Sequence, residues 1–103
     1  MDNKACVYIL LCADKSYYTG LTRREIAARV DEHQRGLNPQ AYTFSRRPVQ
    51  LVWHSWFERY DEAIETERRI KGWNRAKKEA LIRGDYEALP ALASRSRRKK
   101  AIT

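Results

Sequence analysis

The sequence predicts a small α/β domain: a three-stranded antiparallel sheet flanked by helices, in the order β-β-α-β-α-α. Three observations carry that expectation. An almost wholly apolar run, "ACVYILLCA" at residues 5 to 13, is answered across the polar Asp14-Lys15-Ser16 break by "YYTGL" at residues 17 to 21. A second run rich in β-branched and aromatic residues, "VQLVWHSWF", fills residues 49 to 57. Between and beyond these runs lie segments with helical start and stop signals, whose apolar stripes supply the cover for a sheet.

The first run has too little alternation for a half-exposed strand and reads as one covered on both faces. If the turn centres on Asp14, Leu10 stands opposite Tyr18 and Tyr8 opposite Gly20. In that register Tyr8 and Tyr18 share one face as diagonal neighbours roughly 7 Å apart. A slip of one residue would send them to opposite faces. Gly20, having no side chain, would leave room beside Tyr8 for a group to approach the backbone.

Thr22-Arg23-Arg24-Glu25 has the form of a capping box, so a helix is expected from there to about Arg35, stopped by Gly36. Arg29 and His33, four apart, stack on one of its faces. Residues 37 to 48, "LNPQAYTFSRRP", hold two prolines and no helical period, and read as an irregular basic loop. After the third strand, Asp61 can cap a helix over "EAIETERRIK" that Gly72 ends. Asn74 can cap a short third helix over "RAKKEALIR", closed by Gly84.

At 103 residues with 43% apolar content the chain can fill a single modest core. Residues 1 to 84 are expected to form the folded domain and residues 85 to 103 a C-terminal extension. The formal charge is +8, and five of the positive residues lie in "SRSRRKKAIT", residues 94 to 103, which leaves +3 for the rest. Such a tail reads first as a solvated, disordered end that adds general attraction to phosphate; the overall balance favours a nucleic acid as partner. Cys6 and Cys12, six apart in one strand, would have Cα atoms about 20 Å apart and cannot bridge. Two reduced, buried thiols fit a cytoplasmic protein. No stretch is long and apolar enough to predict a membrane span.

One position in the second helix is anomalous. Ala63, Ile64 and Ile70 define an apolar stripe, and the residue that completes it is Glu67. A carboxylate on an inward face needs an ion pair, a hydrogen bond or a bound cation. Lys71, four residues on, is the plain ion-pair candidate.

Taken together, these residues resemble a GIY-YIG endonuclease domain, and most of all its short single-domain bacterial members. Cys6-Val7-Tyr8 stands where Gly-Ile-Tyr is expected, and Tyr18-Thr19-Gly20 where Tyr-Ile-Gly is expected. Arg29 matches the helical Arg, His33 a His found in many members, and Glu67, just before "RRIKGW", the metal-binding Glu. The resemblance spans roughly residues 4 to 83. Cys6 departs from the first Gly, and Leu21 stands where repair nucleases of the family often have Lys. No recognisable DNA-targeting domain follows, so substrate choice is expected from structure-selective binding or from a targeting protein partner.

The resemblance implies metal-dependent hydrolysis of phosphodiester bonds in DNA, structure-selective and related to repair or recombination. The alternative is a non-catalytic nucleic-acid-binding module that keeps the fold. The chemistry needs an activated water, stabilised charge on phosphorus and help for the leaving oxygen. Glu67 suits one Mg²⁺ (or Mn²⁺), a hard cation content with one carboxylate, waters and substrate phosphate. Arg29 offers a planar, permanently charged fork to phosphate oxygens. Tyr8 or Tyr18 is expected to take the proton from water while the other phenol positions it, the phenolate being favoured by Arg29, the metal and a hydrogen bond between the phenols. His33 is expected to shuttle a proton or bind phosphate, against the equally simple reading of a surface helical His. Tyr42, Thr43, Arg46 and Arg47 form a loop that can follow a phosphate backbone, although a solvated loop explains them too. Trp53, Trp56 and Trp73 read as core, and Tyr17 as packing on the face away from Tyr18. A monomer or weak oligomer is the expected assembly.

Overall fold

The structure is a computed structural model that describes residues 3 to 89. Strands β1 (Ala5–Leu11) and β2 (Tyr17–Thr22) are followed by helix α1 (Ile26–Arg35), strand β3 (Gln50–Phe57), and helices α2 (Tyr60–Lys71) and α3 (Arg75–Ile82). Short 3-10 turns occupy Phe44–Arg46 and Tyr86–Ala88. The strand order is β2-β1-β3, with β1 antiparallel to both neighbours. The expected element order and sheet are therefore present.

β1 is central, and its residues from Ala5 to Leu10 are wholly buried whichever face they point to, as an unbroken apolar strand requires. The turn after it is held by Asp14, whose carboxylate accepts from the Ser16 backbone N–H at 3.0 Å and from its hydroxyl. Lys15 takes the left-handed conformation at φ 73°. That tight turn sets the register: Leu10 pairs with Tyr18 and Tyr8 with Gly20. On the other side Ile9 pairs with Trp53 but Leu10 with Leu51, so Val52 is the extra residue of a bulge.

The core face carrying the even-numbered residues of β1 joins Tyr8, Leu10, Cys12 and Val49, with Tyr18, Leu51 and the α1 residues Ile26 and Val30 packed against them. Cys6 and Cys12 are both free and buried, and burial raises both thiol pKa values.

The expected capping box at Thr22 does not form. Thr22 is the last residue of β2, paired with Cys6, and its hydroxyl accepts from the Arg24 N–H at 3.1 Å, while Glu25 occupies the N-cap without a side-chain bond. Pairing with β1 holds Thr22 extended and delays the helix by one turn. Its C-terminus is as expected. Gly36 is left-handed, its N–H donates to the His33 carbonyl, and the Leu37 N–H donates to that of Glu32, a Schellman closure.

α2 lies against all three strands and buries Ala63 and Ile70. It starts at Tyr60, so Asp61 stands inside the first turn and pairs with Arg59 at 2.9 Å instead of capping the helix. β3 departs from the reading of its tryptophans as core: Trp56 is 43% exposed and Trp53 half-buried, because an edge strand has neighbours on one side only. The chain divides into two compact units after Lys71. In the second, Asn74 caps α3 by accepting from the Lys77 N–H at 2.8 Å. The basic tail at residues 94 to 103 lies outside the described residues. No helix among the described residues is long and apolar enough to cross a membrane.

A candidate active site

The site forms where β1, β2, α1 and the loop after α1 meet. Tyr8, 0% exposed, points its hydroxyl toward α1. That oxygen accepts from Arg29 Nε at 3.3 Å and lies 3.0 Å from His33 Nε2. Arg29 and His33 reach it together because residues four apart share a helix face. On its far side the His33 ring places Nδ1 2.7 Å from the Thr43 hydroxyl.

Tyr18 joins the same face, with its ring centroid 6.3 Å from that of Tyr8 and 5.2 Å from that of His33. Tyr42 stacks on it at 6.0 Å with planes 20° apart. The Arg46 guanidinium lies 3.8 Å above the Tyr42 ring, donates to the Tyr42 carbonyl and pairs with Asp14 at 3.1 Å. The Tyr18–Tyr42 stack is thus tied back to the β1–β2 turn.

Charges are matched on α1 itself. Glu32 takes Arg29 at 2.9 Å and Arg24 at 2.7 Å, and the hydrogen bonds from Arg24 and Arg29 hold its carboxyl below the usual range. Burial pushes Tyr8 up to about 12 despite the hydrogen bond from Arg29. Burial, with Arg29 nearby, pushes His33 down. The resting site therefore holds a neutral phenol against a neutral imidazole, with one guanidinium beside them. A cavity of about 100 Å³ adjoins the site, lined by Arg29, Glu32, His33, Asn38 and Thr43 among others.

The structure brings Tyr8, Tyr18, Arg29 and His33 together, and it changes several expectations. The room left by Gly20 is occupied by Tyr8 itself, since a Cβ there would fall inside contact distance of the Tyr8 ring and hydroxyl and of the Tyr18 ring. The Tyr8 hydroxyl is held by His33 and Arg29, which replaces the expected bond between the two phenols. His33 is buried, and so is not a surface helical residue. Thr43, 1% exposed, faces His33 and not solvent. Arg46 is engaged by Asp14 and Tyr42. Arg47 donates to the carbonyls of Phe44 at 2.8 Å and Gln34 at 3.4 Å, which fastens the loop to α1. Glu67 is 13% exposed in its side chain and pairs with Lys71 at 2.6 Å. Among the described residues no group of three or more His, Cys, Asp or Glu is placed to hold a metal ion.

Sequence reasoning missed Glu32 and Asp14. Glu32 was signalled by its position three after Arg29 on one helix face. Asp14 had no signal beyond its turn, because its pairing with Arg46 depends on the fold.

A family model described as the GIY-YIG catalytic domain matches residues 4–80. A UPF0213 protein of Staphylococcus aureus is 44% identical over 77 residues, covering 75% of this chain and 92% of that protein. The solution NMR structure of a UPF0213 protein from Bacillus halodurans is similar with TM-score 0.50 and 38% identity, over 77% of this chain and 82% of that one. The solution NMR structure of a protein from E. faecalis is similar with TM-score 0.55 and 31% identity, over 84% and 92% of the two chains.

Proposed function

This chain belongs to the GIY-YIG catalytic domain family, which implies a nuclease-type function, and from that premise we propose that it is an endonuclease hydrolysing phosphodiester bonds in DNA. The observation that carries the proposal is the Tyr8 hydroxyl held between Arg29 and His33, with Tyr18 beside it. A buried phenol with a guanidinium and an imidazole at hydrogen-bond distance is built to exchange a proton.

In this reading Tyr8 takes the proton of the attacking water and Tyr18 positions that water. Arg29, half-exposed and fixed by Glu32, presents its remaining N–H groups to a phosphate oxygen and favours the developing negative charge. Tyr42, the exposed end of the aromatic stack, borders the path of the strand.

The family implies a divalent cation, and a single carboxylate donor is compatible with Mg²⁺ or Mn²⁺, which keep waters and take substrate oxygens as ligands. Glu67 would hold it, and Lys71, 54% exposed, can swing into solvent to release the carboxylate. When bound, the ion supplies positive charge to the scissile phosphate and lowers the cost of forming hydroxide.

A second reading is favoured by two observations: Glu67 is already paired with Lys71, and Tyr8 is wholly buried, which favours its neutral phenol. Both fit a nucleic-acid-binding module without turnover. The test incubates nicked, branched, single-stranded and duplex DNA with Mg²⁺ or Mn²⁺. Cutting by the wild type that Glu67→Ala abolishes supports the nuclease. Binding without cutting supports the module, and cutting that persists equally in Glu67→Ala removes the metal assignment.

A further inference from the structure

Behind Tyr8 runs a short line of hydrogen-bonding groups that ends at the cavity. The Tyr8 oxygen uses one lone pair on Arg29 Nε–H, and its own proton then needs an acceptor inside the protein. The group that faces it is His33 Nε2, at 3.0 Å. If Nε2 carried a hydrogen, the Tyr8 proton would be left facing another donor. Thr43, at the other end, is under no such constraint. It lines the cavity of about 100 Å³, which is large enough for water, so its hydroxyl can accept from Nδ1 and give its own proton to a water held there. Tyr8 is not among the residues lining that cavity.

We propose that Thr43 is a positioning residue that, by accepting from Nδ1, holds His33 in the Nδ1–H tautomer that Tyr8 requires, so that Nε2 takes the proton of Tyr8 during phosphodiester hydrolysis. This rests on the nuclease reading above. The Tyr8 O–H bond breaks as an N–H bond forms at Nε2, giving phenolate and imidazolium. The phenolate then takes a proton from the attacking water, whose oxygen bonds to phosphorus. The imidazolium returns to neutral by giving its Nδ1 proton through the Thr43 hydroxyl to water in the cavity, and proton exchange with that water restores the Nδ1–H form before the next turnover. Among the described residues, the charged and titratable groups facing His33 are Arg29 and Glu32 on its own helix, Tyr8 on β1 and Tyr18 on β2, and the loop contributes the Thr43 hydroxyl. Glu32 favours the imidazolium and Arg29 opposes it, which keeps the charged state transient.

The tautomer is read directly by long-range ¹H–¹⁵N correlation of the imidazole at a pH where His33 is neutral. The chain has two histidines, and His54→Gln on the exposed side of β3 assigns the signals. The expected result is a protonated Nδ1 and a bare Nε2 in the wild type, a shift toward the Nε2–H form in Thr43→Val, and restoration in Thr43→Ser. A wild type protonated at Nε2, or a folded Thr43→Val with unchanged tautomer, overturns the proposal. Should Thr43→Val fail to fold, Thr43→Ala takes its place: a shift toward the Nε2–H form supports the proposal, and an unchanged tautomer overturns it. In cleavage, Thr43→Val should lower kcat at unchanged KM, with Thr43→Ser rescuing it. The spectrum needs no turnover, so failure of the nuclease reading shows separately as a wild type that binds DNA and cuts none.

Discussion

Tyr8 links the stability of the fold to the proposed chemistry of the site, because the group proposed for proton transfer is also one of the largest side chains in the core. An unfolded phenol ionises near pH 10 and the folded one near 12, so above pH 10 the unfolded state loses its proton first. Stability that is complete below pH 10 should be lost as pH rises to about 12, by roughly 2 to 3 kcal/mol from this group. Urea unfolding across that range should show the loss, and the Tyr8→Phe variant should show a shallower one. His33 works in the opposite sense. Its folded pKa is lowered, so its contribution is present above about pH 6.5 and lost as pH falls below that. Gly20→Ala should cost about 1 to 3 kcal/mol and displace Tyr8, since the added methyl meets its ring; denaturation reads the first effect and loss of cleavage the second. Thr19→Val should stabilise by about 1 kcal/mol in the same assay, because the Thr19 hydroxyl is buried without a partner. At this scale the sequence revealed which residue types matter but not their partners. Gly20 showed as a gap without saying that Tyr8 fills it. Thr43 read as a loop residue because nothing local marks a hydroxyl aimed at a histidine ten positions earlier.

The elements position these residues by their ends as much as by their faces. Gly36 closes α1 one turn after His33 and lets the Arg47 guanidinium pack over the helix end. From there the loop is pinned by Arg47 to the Gln34 and Phe44 carbonyls, and Val49 exchanges hydrogen bonds with the Gln34 amide at 2.8 and 2.9 Å. Gly36→Ala should therefore cost about 1 to 2 kcal/mol in denaturant, from the left-handed backbone and the crowding of Arg47. It should also broaden the NMR signals of Thr43, whose loop starts there. The end of α1 was legible because glycine after a helical period has one economical use. Its start was misread. The Thr-x-x-Glu pattern is real as a local preference, but pairing of Thr22 with Cys6 extends the strand through the position where the cap would form.

At the scale of the molecule, one register decides whether a site exists. β1 is buried on both faces and sits between its neighbours, so a slip of one residue would exchange the side chains of its two faces along its whole length. The order of elements and the pairing of Leu10 with Tyr18 were readable from the apolar run and the turn at Asp14, because an unbroken apolar strand and a short polar turn leave few alternatives. The loop contacts were not, since they join positions far apart with no periodic signal. Glu67 stands between these cases: its place in the stripe was clear, and its neighbour Lys71 was foreseen as the ion-pair partner. In the proposed function, the phenol held by Arg29 and His33 performs proton transfer in phosphodiester cleavage. The most direct measurement of that step is the single-turnover rate on nicked or branched DNA with Mg²⁺, for the wild type and for Tyr8→Phe. A fall of about 100-fold or more with the fold intact is the result predicted, and equal rates in the two proteins would contradict it.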